Sequence, residues 1–191
     1  MKTPGTREGT RDALIDAAER LMRSKGYAAF SYADLVDEVG IRKPSIHHHF
    51  PTKEDLGVAI VEGYIERVKA EFDRMEAEGE DLEARLAGFI RGFQDGLLAG
   101  KLPLCGALAA EMTVLPERLK ALTHHFFDIQ LKWLARILDH AVASHQIPAK
   151  TDTEGKAYQL LSLMEGSSLV SWVMRDRPPI DSSMLMAVVR A

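Results

Sequence analysis

The part of this chain that most restricts its fold lies between residues 31 and 53, SYADLVDEVGIRKPSIHHHFPTK, where two short helical patterns meet at a glycine. Ser31 can cap a helix through its hydroxyl, Asp34 completes a capping box, and Leu35, Val36 and Val39 line one apolar face. Gly40 stops that helix because glycine takes a left-handed conformation at little cost, and Ile41 can fold back onto the apolar face. A second helix starts at Arg42 or Lys43, accepts Pro44 in its first turn, and turns Ile46 and Phe50 inward. Lys43, Ser45, His47 and His48 then face outward, with His49 either on that face or packed against the backbone. Between Arg42 and Lys53 stand three fixed positive charges, three histidines and no acid, in a chain of net charge −4. Two short helices, a glycine turn and a basic outer face form the pattern of a helix-turn-helix, whose second helix lies in the DNA major groove.

The charge is focused rather than spread. From Met1 to Ile60 there are nine Lys/Arg and nine Asp/Glu, which favours docking at a specific site over general polyanion binding. The histidine run does not suit a metal, since neighbours on a helix point about 100° apart, and the same holds for His124 and His125; no metal or cofactor is expected. No apolar run approaches the roughly 18 residues of a membrane span, and the polar stretch from Met1 to Arg11 lacks the apolar region of a signal peptide. A single cysteine, Cys105, excludes an intramolecular disulfide and suits a reducing cytoplasm, the expected location.

The rest of the chain reads as helix. Met1 to Glu8 is a polar arm whose Lys2 and Arg7 are possible DNA contacts; from Thr10, Leu14, Ala17, Ala18, Leu21 and Met22 form one buried stripe that ends at Gly26. Thr52 and Asp55 form a second capping box, opening a linking helix over residues 53–78 with Leu56, Ile60, Tyr64, Val68 and Phe72 inward; Lys53 at its start is placed to meet a phosphate. Gly79 marks a boundary between a DNA-binding domain, residues 8–55, and a second domain, residues 79–191. In the second domain, helices over residues 117–145 and 152–175 carry more apolar positions than one stripe can hold, and Pro178 and Pro179 end the latter. Surplus apolar faces predict a homodimer through those two helices, which would also pair two DNA-reading helices across a two-fold axis. The expected fold class is all-α, a three-helix helix-turn-helix domain followed by a helical domain for ligand binding and dimerisation.

Residues 10–64 closely resemble the DNA-binding domain of TetR-family transcriptional repressors, on Gly26-Tyr27, the Ser31 cap, the Gly40 turn and the stretch His-His-Phe-Pro-x-Lys-Glu-x-Leu from His48 to Leu56. Many members carry Tyr where this chain has His47, so the DNA preference of a relative does not transfer. The candidate DNA contacts are Ser31, Arg42, Lys43, Pro44, Ser45, His47, His48 and Lys53. The resemblance also implies a double-stranded operator, a homodimer and a cavity for a small effector. Phe89, Phe93, Leu97, Leu104, Cys105, Met112, Phe126, Trp133, Met164 and Trp172 are bulky or flexible enough to line such a cavity, or equally to pack a core without a ligand.

Cys105 stands near a helix start, where a thiol is more reactive, and PLCGALAAEM is similar to the region of family members that sense electrophiles; the alternative is a buried small apolar residue. Enzyme motifs are absent: Glu111, Glu165 and Asp139 occur singly, and there is no nucleophile elbow, P-loop, HExxH or dinucleotide fingerprint. The favoured reading is a repressor released from a palindromic operator by an apolar or electrophilic effector. A constitutive dimeric DNA binder and a small helical enzyme or interaction protein are the alternatives.

Overall fold

The structure is a computed structural model that describes residues 7–79, 81–174 and 180–191. Lys2, Arg175, Pro178 and Pro179 lie outside the described residues, so the roles expected of them do too. Among the described residues there are nine α-helices and no strand: α1 (Arg7–Lys25), α2 (Tyr32–Val39), α3 (Lys43–His49), α4 (Lys53–Ala77), α5 (Leu82–Leu98), α6 (Leu104–Ala109), α7 (Glu117–Ala143), α8 (Thr153–Met174) and α9 (Ser182–Arg190). Helix α1 begins three residues before Thr10, the expected start.

These helices form two compact units. One comprises the described residues of Met1–Glu66 together with Leu104–His124; the other comprises those of Arg67–Pro103 and His125–Ala191. The division therefore falls inside α4 and α7, and α6 belongs with the amino-terminal helices. A boundary at Gly79 does not convey this, because a stretch distant in sequence returns to the first unit.

In the first unit the α1 stripe Leu14, Ala17, Ala18, Leu21 and Met22 is buried against Tyr27, Phe30, Leu35, Ile46 and Phe50. Val39, expected in the same core, is half-buried. Leu56 and Ile60 of α4 and Leu104, Leu108 and Leu119 are fully buried in this unit as well. Gly57 leaves space there: a Cβ at that position would lie 2.9 Å from Leu119 Cδ1 and 3.1 Å from Tyr27 Cε2.

The second unit has its own core, in which Phe72, Leu86, Phe89, Ile90, Trp133, Leu134, Ile137, Leu138, Leu160, Met164 and Leu185 pack together. Much of the apolar surplus of α7 goes into it, since Trp133, Leu134, Ile137 and Leu138, which do not fit one stripe, are all buried in this chain alone. The surplus apolar surface lies instead on α8, where Tyr158, Leu169, Val170, Val173 and Met174 are exposed. A groove of ≈ 580 Å³ follows this helix, lined by Leu163, Gly166, Val170, Met174 and Ile180 with three serines. An apolar surface all round one helix calls for contacts on more than one side.

Candidate nucleic-acid interface

The geometry of the candidate interface is set by its caps. Asp34 Oδ2 accepts from the Ser31 N–H at 2.7 Å and from the Ser31 hydroxyl at 2.8 Å, while Lys25 Nζ donates to Asp34 Oδ1 at 2.9 Å. The Lys25 and Ser31 hydrogen bonds hold the Asp34 carboxyl well below the usual carboxylate range. Helix α2 ends as the sequence predicts: Gly40 has φ 75, and its N–H donates to Val36 O at 2.9 Å. A left-handed C-cap of this kind is favourable for glycine and strained for residues with a Cβ.

Helix α3 then runs with Pro44 in its first turn, Ile46 completely buried and Phe50 buried just beyond its end. Arg42, Lys43, Pro44, His47 and His48 are exposed, and Ser45 and His49 are half-buried. The side chains expected on the outer face are therefore presented together, on a short helix anchored by Ile46 and Phe50.

Residues not singled out in the sequence fix that helix further. Tyr32, buried on α2, donates its hydroxyl to Phe50 O at 2.9 Å. Burial, and next the charge of Asp55, push its hydroxyl pKa up to about 12. The His47 ring rests against the Tyr32 ring with centroids 4.9 Å apart, and its Nδ1 lies 3.1 Å from Pro51 O. A carbonyl oxygen can only accept, so Nδ1 carries a hydrogen, and in the neutral ring Nε2 is an acceptor. The Arg11 guanidinium lies over the Phe50 ring, 5.2 Å from its centroid.

Lys53 is more constrained than a phosphate contact requires. Its Nζ donates to Ala28 O at 3.3 Å and sits 4.6 Å and 4.5 Å from the Tyr27 and Phe30 ring centroids. Burial lowers its pKa, and the charges of Glu111 and Asp34 oppose that shift. The expected capping box at the start of α4 is present: Thr52 Oγ1 donates to Asp55 Oδ2 at 2.7 Å and accepts from Asp55 N–H at 3.0 Å. Arg118 Nη1 donates to the other oxygen of Asp55 at 3.0 Å.

The candidate effector residues fall into two groups. Cys105 and Met112 belong to the first unit; Phe89, Phe93, Leu97, Phe126, Trp133, Met164 and Trp172 belong to the second. Phe89, Phe93 and Trp133 come together, with Phe72 stacked on Trp133 at 4.2 Å and Phe89 5.7 Å from it. Phe126 and Met164 are buried, while Leu97 and Trp172 are half-buried. Cys105 is completely buried, which denies its thiol access to reagents. Among the described residues, four buried side-chain atoms, all in the second unit, have no hydrogen-bond partner in the protein: Arg85 Nε, Gln130 Nε2, Trp133 Nε1 and Glu165 Oε1. Burial also pushes the Glu165 carboxyl up to about 7. Among the described residues no group of three or more His, Cys, Asp or Glu could hold a metal ion, and no helix is long and apolar enough to cross a membrane.

A capped pair of short helices offering an acid-free basic face, in an otherwise all-helical chain, defines a helix-turn-helix DNA-binding regulator. Residues 14–60 match the family described as bacterial regulatory proteins, tetR family, and residues 80–186 match the tetracyclin repressor-like C-terminal domain. The HTH-type transcriptional repressor ComR of Escherichia coli (strain K12) is 28% identical over 167 residues, 83% of this chain and 78% of that protein. The crystal structure of a TetR-family transcriptional regulator from Agrobacterium tumefaciens is similar with TM-score 0.83 at 27% identity, covering 96% of this chain and 95% of the other. Reduced E. coli NemR shares the fold, with TM-score 0.76 at 21% identity over 94% of this chain and 93% of that one. The chain belongs to the TetR family of transcriptional regulators, which bind DNA and are not enzymes.

Proposed function

We propose that this protein is a repressor that binds a palindromic operator as a homodimer and is released by a small, largely apolar effector. The observation that carries the DNA-reading part is the face of α3, where Arg42, Lys43, His47 and His48 are exposed on a helix whose inner side is locked by Ile46, Phe50 and the Tyr32 hydroxyl. Arg42 and Lys43 supply charge to phosphates or guanine, and Pro44, Ser45 and Ser31 line the approach to the duplex. His47, with Nδ1 engaged, offers Nε2 to a base amino group of adenine or cytosine. Lys53 keeps ammonium donors for a phosphate at the α4 start while bonding Ala28.

The exposed apolar residues of α8 support dimerisation through that helix, which extends the two-helix reading from residues 117–145 and 152–175. Residues 8–55 form the DNA-binding part, with helix 53–78 linking it to the effector-binding and dimerisation part, 79–191. The aromatic core around Trp133 and its unpartnered polar atoms support an effector with an apolar body and hydrogen-bonding groups. An electrophile sensed at Cys105 is disfavoured by that residue's complete burial.

Selection of bound duplexes from random DNA, then titration of the enriched site with apolar metabolites, tests this reading. A palindromic site and ligand-induced release support it. A palindromic site that no ligand releases favours a constitutive dimeric binder, and enrichment of no sequence removes the reading.

A further inference from the structure

We infer that Glu111 is a positioning residue for DNA reading: from the turn after α6 its carboxylate holds the α1–α2 turn, and so fixes the helix pair that presents α3. Gly26 ends α1 with φ 90, its N–H donating to Met22 O at 3.0 Å. The next two N–H groups point at Glu111: Tyr27 N donates to Oε2 at 2.6 Å, and Ala28 N lies 3.2 Å from Oε1 and 3.3 Å from Oε2. Successive N–H groups after a left-handed residue make a concavity suited to an anion. The fit is close, since a Cβ at Gly26 would come 2.7 Å from Glu111 Oε1.

Lys53 completes the hold from the other side. Its Nζ donates to Ala28 O, so the Ala28 peptide groups are bound on the N–H side by Glu111 and on the carbonyl side by Lys53. The two charges also act on each other, as the effect of Glu111 on the Lys53 pKa records. From this turn the chain passes through buried Phe30 to the Ser31 cap and α2, and the Tyr32 hydroxyl ties α2 to the end of α3. A second attachment lies beside the first, where Arg118 binds Asp55 and Leu119 packs over Gly57. These contacts account for the inclusion of residues 104–124 in the DNA-reading unit. Glu111 does not touch DNA in this assignment; it acts through the turn it grips.

The test compares operator and random-sequence duplexes, the operator being the duplex that the wild-type protein enriches. Glu111→Gln keeps the size of the side chain, replaces one accepting oxygen and the carboxylate charge by a neutral amide whose NH2 repels a facing N–H, and removes a negative charge from the DNA-binding unit. Operator affinity is expected to fall about ten- to hundredfold, while binding to the random duplex stays level or rises. A variant that is partly unfolded would instead lose both in proportion, which would overturn the inference, as would operator binding equal to wild type. Lys53→Met supplies an independent arm: its effect and that of Glu111→Gln should be non-additive, because both grip one residue, and strict additivity counts against a shared hold. A wild-type protein that enriches no duplex removes the DNA-reading premise itself, an outcome distinct from a variant that binds as well as wild type.

Discussion

The two units differ in how far their buried polar side chains are paired. In the first, the buried Tyr32 hydroxyl reaches Phe50 O and the buried Thr123 hydroxyl reaches Leu119 O at 2.8 Å, while the half-buried Glu111 carboxylate takes backbone N–H groups. In the second, the buried Ser168 hydroxyl also reaches a carbonyl, Met164 O at 2.8 Å, but among the described residues Arg85, Gln130, Trp133 and Glu165 each bury an atom with no protein partner. A buried group left unsatisfied by protein or water costs about 1–3 kcal/mol, so these four positions are where the packing of the second unit is most sensitive to polar substitution. On the proposed function, a module that presents α3 in one orientation gains from paired polar groups, and unpaired ones suit a module that takes up an effector.

Trp133→Ala tests the apolar half of that contrast and has the largest expected effect. The side chain is buried beneath Phe72 and Phe89, so its removal should destabilise the protein by about 3–5 kcal/mol in a denaturant titration. Trp133→Phe should cost much less, because the indole N–H has no hydrogen bond to lose. Equal losses in the two variants would mean that the N–H has a partner in solution.

On the DNA-reading side, Lys43→Ala should leave the melting temperature near wild type, since the side chain is exposed. Operator affinity should weaken by about 1–3 kcal/mol with a changed sequence preference if Lys43 meets a guanine. A uniform loss across all duplexes would move Lys43 from base reading to phosphate contact.

Glu165 sharpens the comparison from the polar half of the second unit. With its carboxyl raised by burial from 4.5 to about 7, the folded protein keeps a proton there that the unfolded chain has released. Stability should therefore fall as pH rises between those two values and level off above them. Glu165→Gln removes that slope and should be more stable than wild type at pH 8, by an amount on the order of 3 kcal/mol, with little difference at pH 4. An effector with a cationic or donor group beside Glu165 would flatten the wild-type profile in the same window.

How legible each unit was in the sequence follows from how local its determinants are. The α1 stripe, the Ser31–Asp34 box, the Gly40 stop and the outward set on α3 depend on residues within a few positions of one another, and spacing reveals them. The Glu111 hold on Tyr27 and Ala28 joins residues more than 80 apart, and a single acid after a short helix carries no periodic signal. Tyr32 was hidden for a similar reason, since an aromatic residue at the first position of α2 does not announce that its hydroxyl reaches the end of α3. In the second unit, composition pointed to bulky residues, but not to which of them meet: Phe89, Phe93 and Trp133 do, while Cys105 and Met112 lie in the other unit. On α7 the apolar pattern alone does not separate what the chain buries itself, Trp133, Leu134, Ile137 and Leu138, from what stays partly open, Phe127, Ile129, Leu131 and Val142.

The smallest effect belongs to Tyr32→Phe, which asks how finely the first unit depends on its satisfied hydrogen bonds. The substitution keeps the ring that supports His47 and removes only the donor to Phe50 O. Stability should drop by about 1 kcal/mol, the usual net value of one such bond, in a thermal or denaturant melt at pH 7. The loss should itself depend on pH. Because burial raises the Tyr32 hydroxyl from 10 to about 12, the folded state holds that proton between those values while the unfolded chain releases it, so wild-type stability should decline across that window and the contribution of Tyr32 should disappear from the decline in the variant. With the ring still in place, a fall in operator affinity beyond the loss in stability would mean that the hydroxyl fixes the orientation of α3; affinity unchanged at full folding would mean that Ile46 and Phe50 suffice, and that the first unit tolerates the loss of this bond.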